Sequence, residues 1–340
     1  MALPTLQTFS FPMNRLIPLL LLVGLAGCER GAPADAPTDG RLRVVTTTSL
    51  VADLARQIGG PDVDVESLMG PGVDPHLYRA RESDVQRMVD ADLILYTGLH
   101  LEGKMGEVLE GVARRGIGVE PVAESIGEDA LIPASGTMAA SGGTYDPHVW
   151  MDVTLWRRVA VSVADALAAA DPAHADAFRA RSLAYDARLD SLDAYVRTRV
   201  AELPPERRIL VTAHDAFNYF GKAYGVDVRG LQGISTATEA GTADVRDLAA
   251  FVAERRLPAL FVESSVSPRA IEAVRAAVRA RGFDVRVGGS LYSDALGGPG
   301  SGADTYIGMI RANVDTVVDG LNGTPVGPTA AAARRVTPDL

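Results

Sequence analysis

A long uninterrupted helical pattern in the middle of the chain most constrains its fold. Between residues 173 and 201, apolar residues recur at spacings of 7, 4, 3, 4 and 4 on one helical face, with no proline or glycine among them. Pro172 precedes this pattern and Pro204 follows it, as start and stop signals do. Roughly thirty residues at about 1.5 Å each give a helix of about 45 Å. We therefore predict that residues 171–203 form one rigid linking helix.

Strand and helix patterns alternate on both sides of this helix. The β-branched run Leu42–Thr47 is followed by the amphipathic stretch Ser49–Ile58, and the alternation restarts at Arg208–Thr212. Such alternation indicates parallel βαβ units. We predict an α/β fold with two lobes, 42–170 and 204–321, each a mainly parallel sheet flanked by helices. The other strands are predicted at Val63–Leu68, Leu93–Tyr96, Val119–Val122, Asp227–Leu231, Ala259–Val262 and Val285–Gly288.

The beginning of the chain has the features of a secretory signal. The apolar run Leu16–Leu25 is half the roughly twenty residues that a bilayer span needs, and Arg15 precedes it. The segment ending at Cys28, Leu-Ala-Gly-Cys, resembles a bacterial lipobox, in which the cysteine becomes the lipid-modified first residue. A buried cysteine or an ordinary cleavage site is the alternative. We expect residues 1–27 to be a lipoprotein signal peptide, with Met1 or Met13 as the true start.

Composition narrows the class of protein further. The formal net charge is −10, which argues against a nucleic-acid binder. The single cysteine excludes an internal disulfide framework and any zinc site built from several cysteines. Residues 28–41 are rich in Pro, Ala and Asp and predict a flexible tether, and 322–340 predict a disordered tail. We expect a monomer, lipid-anchored on the periplasmic or cell-surface side of a bacterial membrane.

Three of the five histidines share a setting. His76 and His148 each end an Asp-Pro-His triplet at a loop, and His214 lies at the carboxyl end of a predicted strand. Proline fixes its own φ and biases the preceding residue towards extended geometry, so each triplet aims an imidazole rigidly. One loop histidine is usually a solvated surface residue. Three such histidines at the strand ends of one α/β protein indicate a shared ligand, because sites in such sheets lie beyond the carboxyl ends of the strands.

A metal ion would also need a carboxylate. Asp294 follows the last predicted strand, in the same topological position as the histidines. Three imidazoles and one carboxylate suit zinc, with bonds of about 2.0–2.2 Å. Spacing alone does not favour Asp294 over Asp215, Asp152 or Glu263, and a loop or helix N-cap is its ordinary alternative role.

These segments, with Leu231–Thr236, Glu239–Gly241 and Phe261–Ser265, resemble the metal-binding solute-binding proteins of bacterial ABC importers, the TroA-like (cluster A-I) zinc/manganese family. The resemblance runs from about Leu42 to Leu321. It implies two α/β lobes joined by one helix, with a single metal ion in the cleft between them. It also implies capture of the ion and delivery to an ABC permease in the membrane, without catalysis.

The resemblance also implies a ligand set. The ligands from the first lobe would be His76 and His148, and those from the second lobe would be His214 and Asp294. Ligating histidines usually donate their other N–H to a carboxylate or carbonyl, and Glu239 and Glu263 are our candidates for that role. His100 and His174 do not match ligand positions.

The residue at the third ligand position influences which metal the site prefers. Family members that resemble manganese binders usually carry glutamate there, whereas this chain has His214. Imidazole suits zinc and carboxylate suits manganese, and the Irving–Williams order points the same way, so Zn²⁺ is expected and Mn²⁺ or iron is the alternative. Many zinc-specific members of the family that this chain resembles carry a His/Asp-rich loop before the second ligand histidine. The matching stretch, Gly127–Thr144, contains no histidine, so we expect no accessory metal-collecting loop.

Two other classes compete with a transport protein. A catalytic zinc keeps an open water position, which four protein ligands would not leave, and the chain has neither an HExxH helix nor a Gly-x-Ser-x-Gly elbow. A zinc-dependent hydrolase is therefore disfavoured. Nothing in the sequence encodes the other alternative, an adhesin lipoprotein.

Overall fold

The computed structural model of the chain describes residues 40–323. The predictions for the signal peptide 1–27, for lipidation at Cys28 and for most of the tether 28–41 and tail 322–340 lie outside the described residues. No helix among residues 40–323 is both long enough and apolar enough to cross a membrane.

The first lobe is built on a four-stranded parallel sheet in the order β2-β1-β3-β4. All four strands match their predicted positions to within one residue at each end. The first three residues of β3 are buried, as expected for a parallel sheet covered on both faces. The strands are β1 (Leu42–Thr46), β2 (Val63–Ser67), β3 (Leu93–Tyr96) and β4 (Gly118–Pro121).

Five helices accompany this sheet: α1 (Ser49–Gly59), α2 (Glu82–Val89), α3 (Gly106–Ala113), α4 (Gly136–Ala140) and α5 (Val153–Ala170). Helix α5 is not among the helices predicted from the sequence, although it is 18 residues long. The side chain of Asp152 caps its N-terminus by accepting a hydrogen bond from the backbone N–H of Thr154 at 2.8 Å. Asp152, one of the alternatives to Asp294, therefore has a structural role.

The linking helix predicted from the sequence is present. It is α6 (Ala175–Ala201), 27 residues long, entered through a 3₁₀ turn at Pro172–His174. It packs against α5, α1 and α10 (Tyr306–Asn322). Its buried side chains include the whole predicted stripe and are Phe178, Ser182, Tyr185, Leu189, Leu192, Val196 and Val200.

The second lobe contains two parallel strand pairs, β5 with β6 and β7 with β8, and β5 lies beside β7. All these strands lie where strands were predicted, with ends that differ by up to three residues. The strands are β5 (Ile209–His214), β6 (Asp227–Gln232), β7 (Ala259–Glu263) and β8 (Arg286–Leu291). The other helices are α7 (Asn218–Tyr224), α8 (Thr242–Arg255) and α9 (Arg269–Arg279).

One apolar core connects the two lobes. Buried side chains form a continuous cluster from the first sheet through α5 and α6 to α10. Hydrogen bonds cross the same seam: the backbone N–H of Tyr306 donates to Asp53 at 2.9 Å, and the Tyr306 hydroxyl donates to the carbonyl of Trp150 at 2.8 Å. A wide separation of the lobes would expose this core to water, so the fold favours local movement around the site.

Candidate metal centre

Four buried side chains converge between the lobes. The Nε2 atoms of His76 and His148 are 3.3 Å apart, and Asp294 Oδ1 lies 3.4 Å from Nε2 of both His148 and His214. The candidate donor atoms of all four residues lie within 4.8 Å of one another. Each of the four residues is at most 4% exposed to solvent. The four donor atoms are therefore close enough together to share one ion.

Different elements supply these four residues. His76 lies in the loop after β2, and His148 immediately precedes the 3₁₀ turn Val149–Met151 that leads into α5. His214 is the last residue of β5, and Asp294 follows the end of β8 by three residues. The two lobes thus contribute two residues each, and the structure brings together the four residues that the sequence analysis names.

Each Asp-Pro-His triplet forms a turn that orients its histidine. Asp74 Oδ1 accepts the backbone N–H of His76 at 2.9 Å, and Asp146 Oδ1 accepts that of His148 at 3.0 Å. An Asp side chain bonded to the backbone two residues on is an Asx turn. The other oxygen of Asp74 accepts the hydroxyl of Thr236 at 2.6 Å, which links the His76 loop to the second lobe.

Carboxylates lie beside the Nδ1 atoms of two of the imidazoles. Asp146 Oδ1 lies 2.7 Å from His148 Nδ1, and its Oδ2 accepts the side-chain amide of Asn218 at 3.0 Å. Glu263 Oε1 accepts the backbone N–H of His214 at 2.9 Å, and Oε2 lies 2.6 Å from His214 Nδ1. A carboxylate at Nδ1 keeps the proton there and turns the Nε2 lone pair towards the centre.

The supporting residues differ in part from those proposed from the sequence. Glu263 lies behind His214 as proposed, whereas Glu239 is exposed before α8 and, among residues 40–323, shares no hydrogen bond or ion pair with the cluster. Sequence reasoning missed Asp146 and Asn218. The Asp-Pro-His triplet itself indicates Asp146. The hydrogen bond from Asn218 to Asp146 joins residues 72 positions apart, so no local pattern predicts it.

The remaining candidates have other places in the fold. Asp215 accepts the backbone N–H of Gly230 at 2.8 Å and so ties β5 to β6. His174 pairs with Asp171 at 2.6 Å near the start of α6, and His100 is exposed. None of these three residues is part of the four-residue cluster.

Burial and nearby charges have opposite effects on the pKa values of the histidines in the cluster. Burial lowers the pKa of His76 to about 3. Burial also opposes the charge of His148, but the carboxylates of Asp146 and Asp294 outweigh it and raise the pKa to about 9. Burial likewise opposes the charge of His214, yet Glu263 and Asp294 raise its pKa well above the ordinary value.

Asp294 responds to the same charges. Burial favours its neutral form, but the nearby imidazoles of His214 and His148 hold its pKa well below the ordinary value. Without a cation at the centre, protons on His148 and His214 therefore balance the buried carboxylates. A divalent ion can replace those protons with little change in the net charge of the site.

We expect Asp146→Asn to weaken zinc binding by about 10–100-fold, the usual effect of losing a group that orients a ligand. An amide cannot stabilise the His148 Nδ1–H as a carboxylate does. Competition against a chromophoric chelator would measure the change. Asp165→Asn, at an exposed position on α5, is the matched control. Equal affinities of the two variants would contradict a role for Asp146 in orienting His148.

Two α/β lobes on one long helix, with inward-facing nitrogen and carboxylate donors from both lobes, define a solute-binding protein for a metal ion. A sequence model of the ZnuA family, described as "Zinc-uptake complex component A periplasmic", matches residues 44–320, and the chain belongs to this family. It is therefore the metal-binding component of an ABC metal importer, which delivers its ion to a permease, and it is not an enzyme.

Characterised relatives cover nearly the whole chain. It is 49% identical over 287 residues to the zinc-binding protein TroA of Treponema pallidum (strain Nichols), which is 84% of this chain and 91% of that protein. It is 45% identical over 303 residues to the manganese-binding lipoprotein MntA of Bacillus subtilis (strain 168), covering 89% of this chain and 97% of the relative. The solved structure of the periplasmic zinc-binding protein TroA from Treponema pallidum matches with a TM-score of 0.79, at 49% identity, over 83% of this chain and 99% of that one.

Proposed function

We propose that the chain carries one zinc ion, held by His76, His148, His214 and Asp294. The donor spacing is the observation that supports this proposal. A tetrahedron with zinc–ligand bonds of about 2.0–2.1 Å has edges of about 3.3–3.4 Å. Three of the six donor pairs are separated by 3.3, 3.4 and 3.4 Å, close to these edges, and all six lie within 4.8 Å. The spacing therefore suits zinc with four protein ligands.

Manganese or iron in the same transport role is the alternative. The two relatives described above are named for zinc and for manganese, at 49% and 45% identity, so overall similarity does not choose between the metals. The donor set does, because three neutral imidazoles and one carboxylate are softer than the oxygen-rich sets that suit manganese.

Elemental analysis of the protein purified without chelator tests the proposal. We expect about one zinc per chain, and we expect manganese to displace it only at large excess, as the Irving–Williams order predicts. The same analysis of His214→Ala should show loss of the zinc. Recovery of manganese or iron as the bound metal, in medium that supplies all three, would overturn the assignment to zinc.

We also expect zinc binding to release about two protons near pH 7, because His148 and His214 must lose their protons to bind the ion. Their pKa values are about 9 and well above 6.5. Affinity should therefore fall as the pH falls, by about tenfold per released proton for each pH unit. Calorimetry in buffers of different ionisation enthalpy measures the release. An affinity that stays constant between pH 7 and pH 5 would contradict this prediction.

We further propose that the mature chain begins at Cys28, is anchored by lipid on the periplasmic or cell-surface side of the membrane, and is a monomer. The lipobox-like segment supports the anchor, and the Bacillus subtilis relative is named a lipoprotein. We expect Cys28→Ala to move the protein from the membrane fraction to the soluble extracytoplasmic fraction. Continued recovery with membranes after a high-salt wash would argue against the anchor.

A further inference from the structure

We propose that Tyr219, in the second lobe, positions the metal ligand His148 of the first lobe. The hydroxyl of Tyr219 holds the backbone of Asp146, and the carboxylate of Asp146 orients the imidazole of His148. The zinc affinity of the site then depends on a contact between the lobes that no ligand makes. This inference rests on the proposed function, because it concerns the affinity of the same site for the same ion.

The hydroxyl of Tyr219 both accepts and donates a hydrogen bond. It accepts the backbone N–H of Ile132 at 3.0 Å, and its oxygen lies 2.9 Å from the carbonyl oxygen of Asp146. An N–H group only donates and a carbonyl only accepts, so the single hydroxyl proton must be directed at Asp146. Tyr219 is 0% exposed, so bulk water does not reach either bond.

This hydroxyl takes the place of a backbone hydrogen bond. Ile132 and Asp146 lie opposite each other at the base of a loop that an antiparallel bridge between Pro133 and Tyr145 closes. The N–H of Asp146 donates to the carbonyl of Ile132 at 2.8 Å. A hydrogen-bonded antiparallel pair returns a second bond directly, here from Ile132 to Asp146. Tyr219 relays that second bond instead, so the position of the Asp146 backbone depends on the second lobe.

The carboxylate of Asp146 passes this restraint on to the ligand. Its Oδ1 lies 2.7 Å from His148 Nδ1 and accepts the backbone N–H of His148 at 3.0 Å. Its Oδ2 accepts the side-chain amide of Asn218 at 3.0 Å. Asn218 and Tyr219 are the first two residues of α7. This helix therefore holds Asp146 at two points, the carbonyl and the carboxylate.

Helix α7 also follows closely on the segment that carries His214. It begins four residues after His214, and the amide of Asn218 also donates to the carbonyl of Asp215 at 3.2 Å. One segment of the second lobe thus carries its own ligand and holds the partner of a ligand from the first lobe. A shift of this segment against the first lobe would disturb both imidazoles together.

Loss of the Tyr219 hydroxyl would leave two backbone groups without their partner, the N–H of Ile132 and the carbonyl of Asp146. An unpaired polar group in a buried place is costly, so we expect the two strands to close and form a direct bond. That movement displaces Asp146 from its place beside His148 Nδ1. A carboxylate that bonds poorly to Nδ1 orients the imidazole less well and weakens zinc binding.

Tyr219→Phe tests the inference, because it keeps the ring and removes only the hydroxyl. We expect its dissociation constant for zinc to rise by about tenfold, the lower end of the range for groups that orient a ligand. Asn218→Ala removes the second contact between α7 and Asp146, and we expect its constant to rise as well. Chelator competition at pH 7 measures both variants.

Tyr224→Phe is the matched control on the same helix. The hydroxyl of Tyr224 accepts the backbone N–H of Val153 at 3.4 Å and donates to Asp193 at 3.0 Å, and it does not contact Asp146. We expect this variant to lose some thermal stability, as Tyr219→Phe does, but to keep the zinc constant of the wild type. A purely structural role of Tyr219 would make the two variants alike in zinc affinity.

A double-mutant cycle with Asp146→Ala separates positioning from packing. With the carboxylate absent, Tyr219 has nothing left to position, so Tyr219→Phe should then change the zinc constant by less than about twofold. Hydrogen exchange of the metal-free protein supplies a readout that needs no zinc. We expect the amides of residues 132–146 to exchange faster in Tyr219→Phe and at the wild-type rate in Tyr224→Phe.

Three results would overturn the role of Tyr219 while the proposed function stands. They are an unchanged zinc constant in Tyr219→Phe, an equal loss of affinity in Tyr224→Phe, and an equal effect of Tyr219→Phe with and without the Asp146 carboxylate. A wild-type protein that binds no zinc would instead overturn the proposed function itself.

Discussion

Replacing Asp294 with alanine is expected to abolish tight zinc binding. Asp294 supplies the only carboxylate of the cluster, it is 1% exposed, and its Oδ1 contacts two of the three imidazoles. Without it, a divalent ion would keep its full double charge in a buried site of neutral ligands, which is unfavourable. The loss should exceed the roughly 100-fold that follows removal of a residue that only supports a ligand. Chelator competition and equilibrium dialysis would measure it.

Two variants make this prediction specific. Asp304→Ala removes an exposed carboxylate ten residues further along the chain and should leave zinc affinity unchanged. Asp294→Asn keeps the size of the side chain but not its charge, so it separates electrostatic loss from a packing defect. If Asp294→Ala held zinc within about tenfold of the wild type, about 1.4 kcal/mol, Asp294 would not be a ligand.

The sequence predicts those parts of the fold that local patterns determine. The strands of the first sheet and the buried stripe of α6 follow from residue periodicity, and both are present where expected. The local pattern of α5 is ambiguous, because its β-branched valines favour a strand whereas its alanines favour a helix. Packing of α5 against α6 and α1, which no local pattern reports, determines the conformation.

The residues of the site also divide into those that local sequence patterns predict and those that they do not. The Asp-Pro-His triplets are local, and each forms the turn that orients its histidine. The choice of Asp294 is not local, because the segment that carries it is held by Trp150, whose indole bonds to a carbonyl 143 residues away. Spacing alone left Asp152, Asp215 and Glu263 as equal candidates. The structure gives each of them another contact: the N-cap of α5, the backbone of Gly230 and the imidazole of His214.

Zinc should also stabilise the whole fold strongly. A ligand that binds only the folded state stabilises it by about 4 kcal/mol when its free concentration is about 1,000 times the dissociation constant. With an unfolding entropy of about 2.1 cal/mol/K per residue over residues 40–323, each kcal/mol raises the melting temperature by about 1.7 °C, so an increase of about 7 °C is expected. Scanning calorimetry of protein with buffered zinc, and of the same protein with chelator, would measure the difference.

The origin of this stabilisation can be tested in the same experiment. The four proposed ligands span residues 76–294 and come from both lobes, so zinc would join segments that are distant in the chain. Asp294→Ala should therefore melt at the same temperature with and without zinc, and Asp304→Ala should keep the full increase. An equal increase in Asp294→Ala would mean that zinc acts elsewhere on the protein. One apolar core already connects the lobes, and the ion adds to this connection. We therefore expect a single unfolding transition whose melting temperature shifts as a whole when zinc is bound.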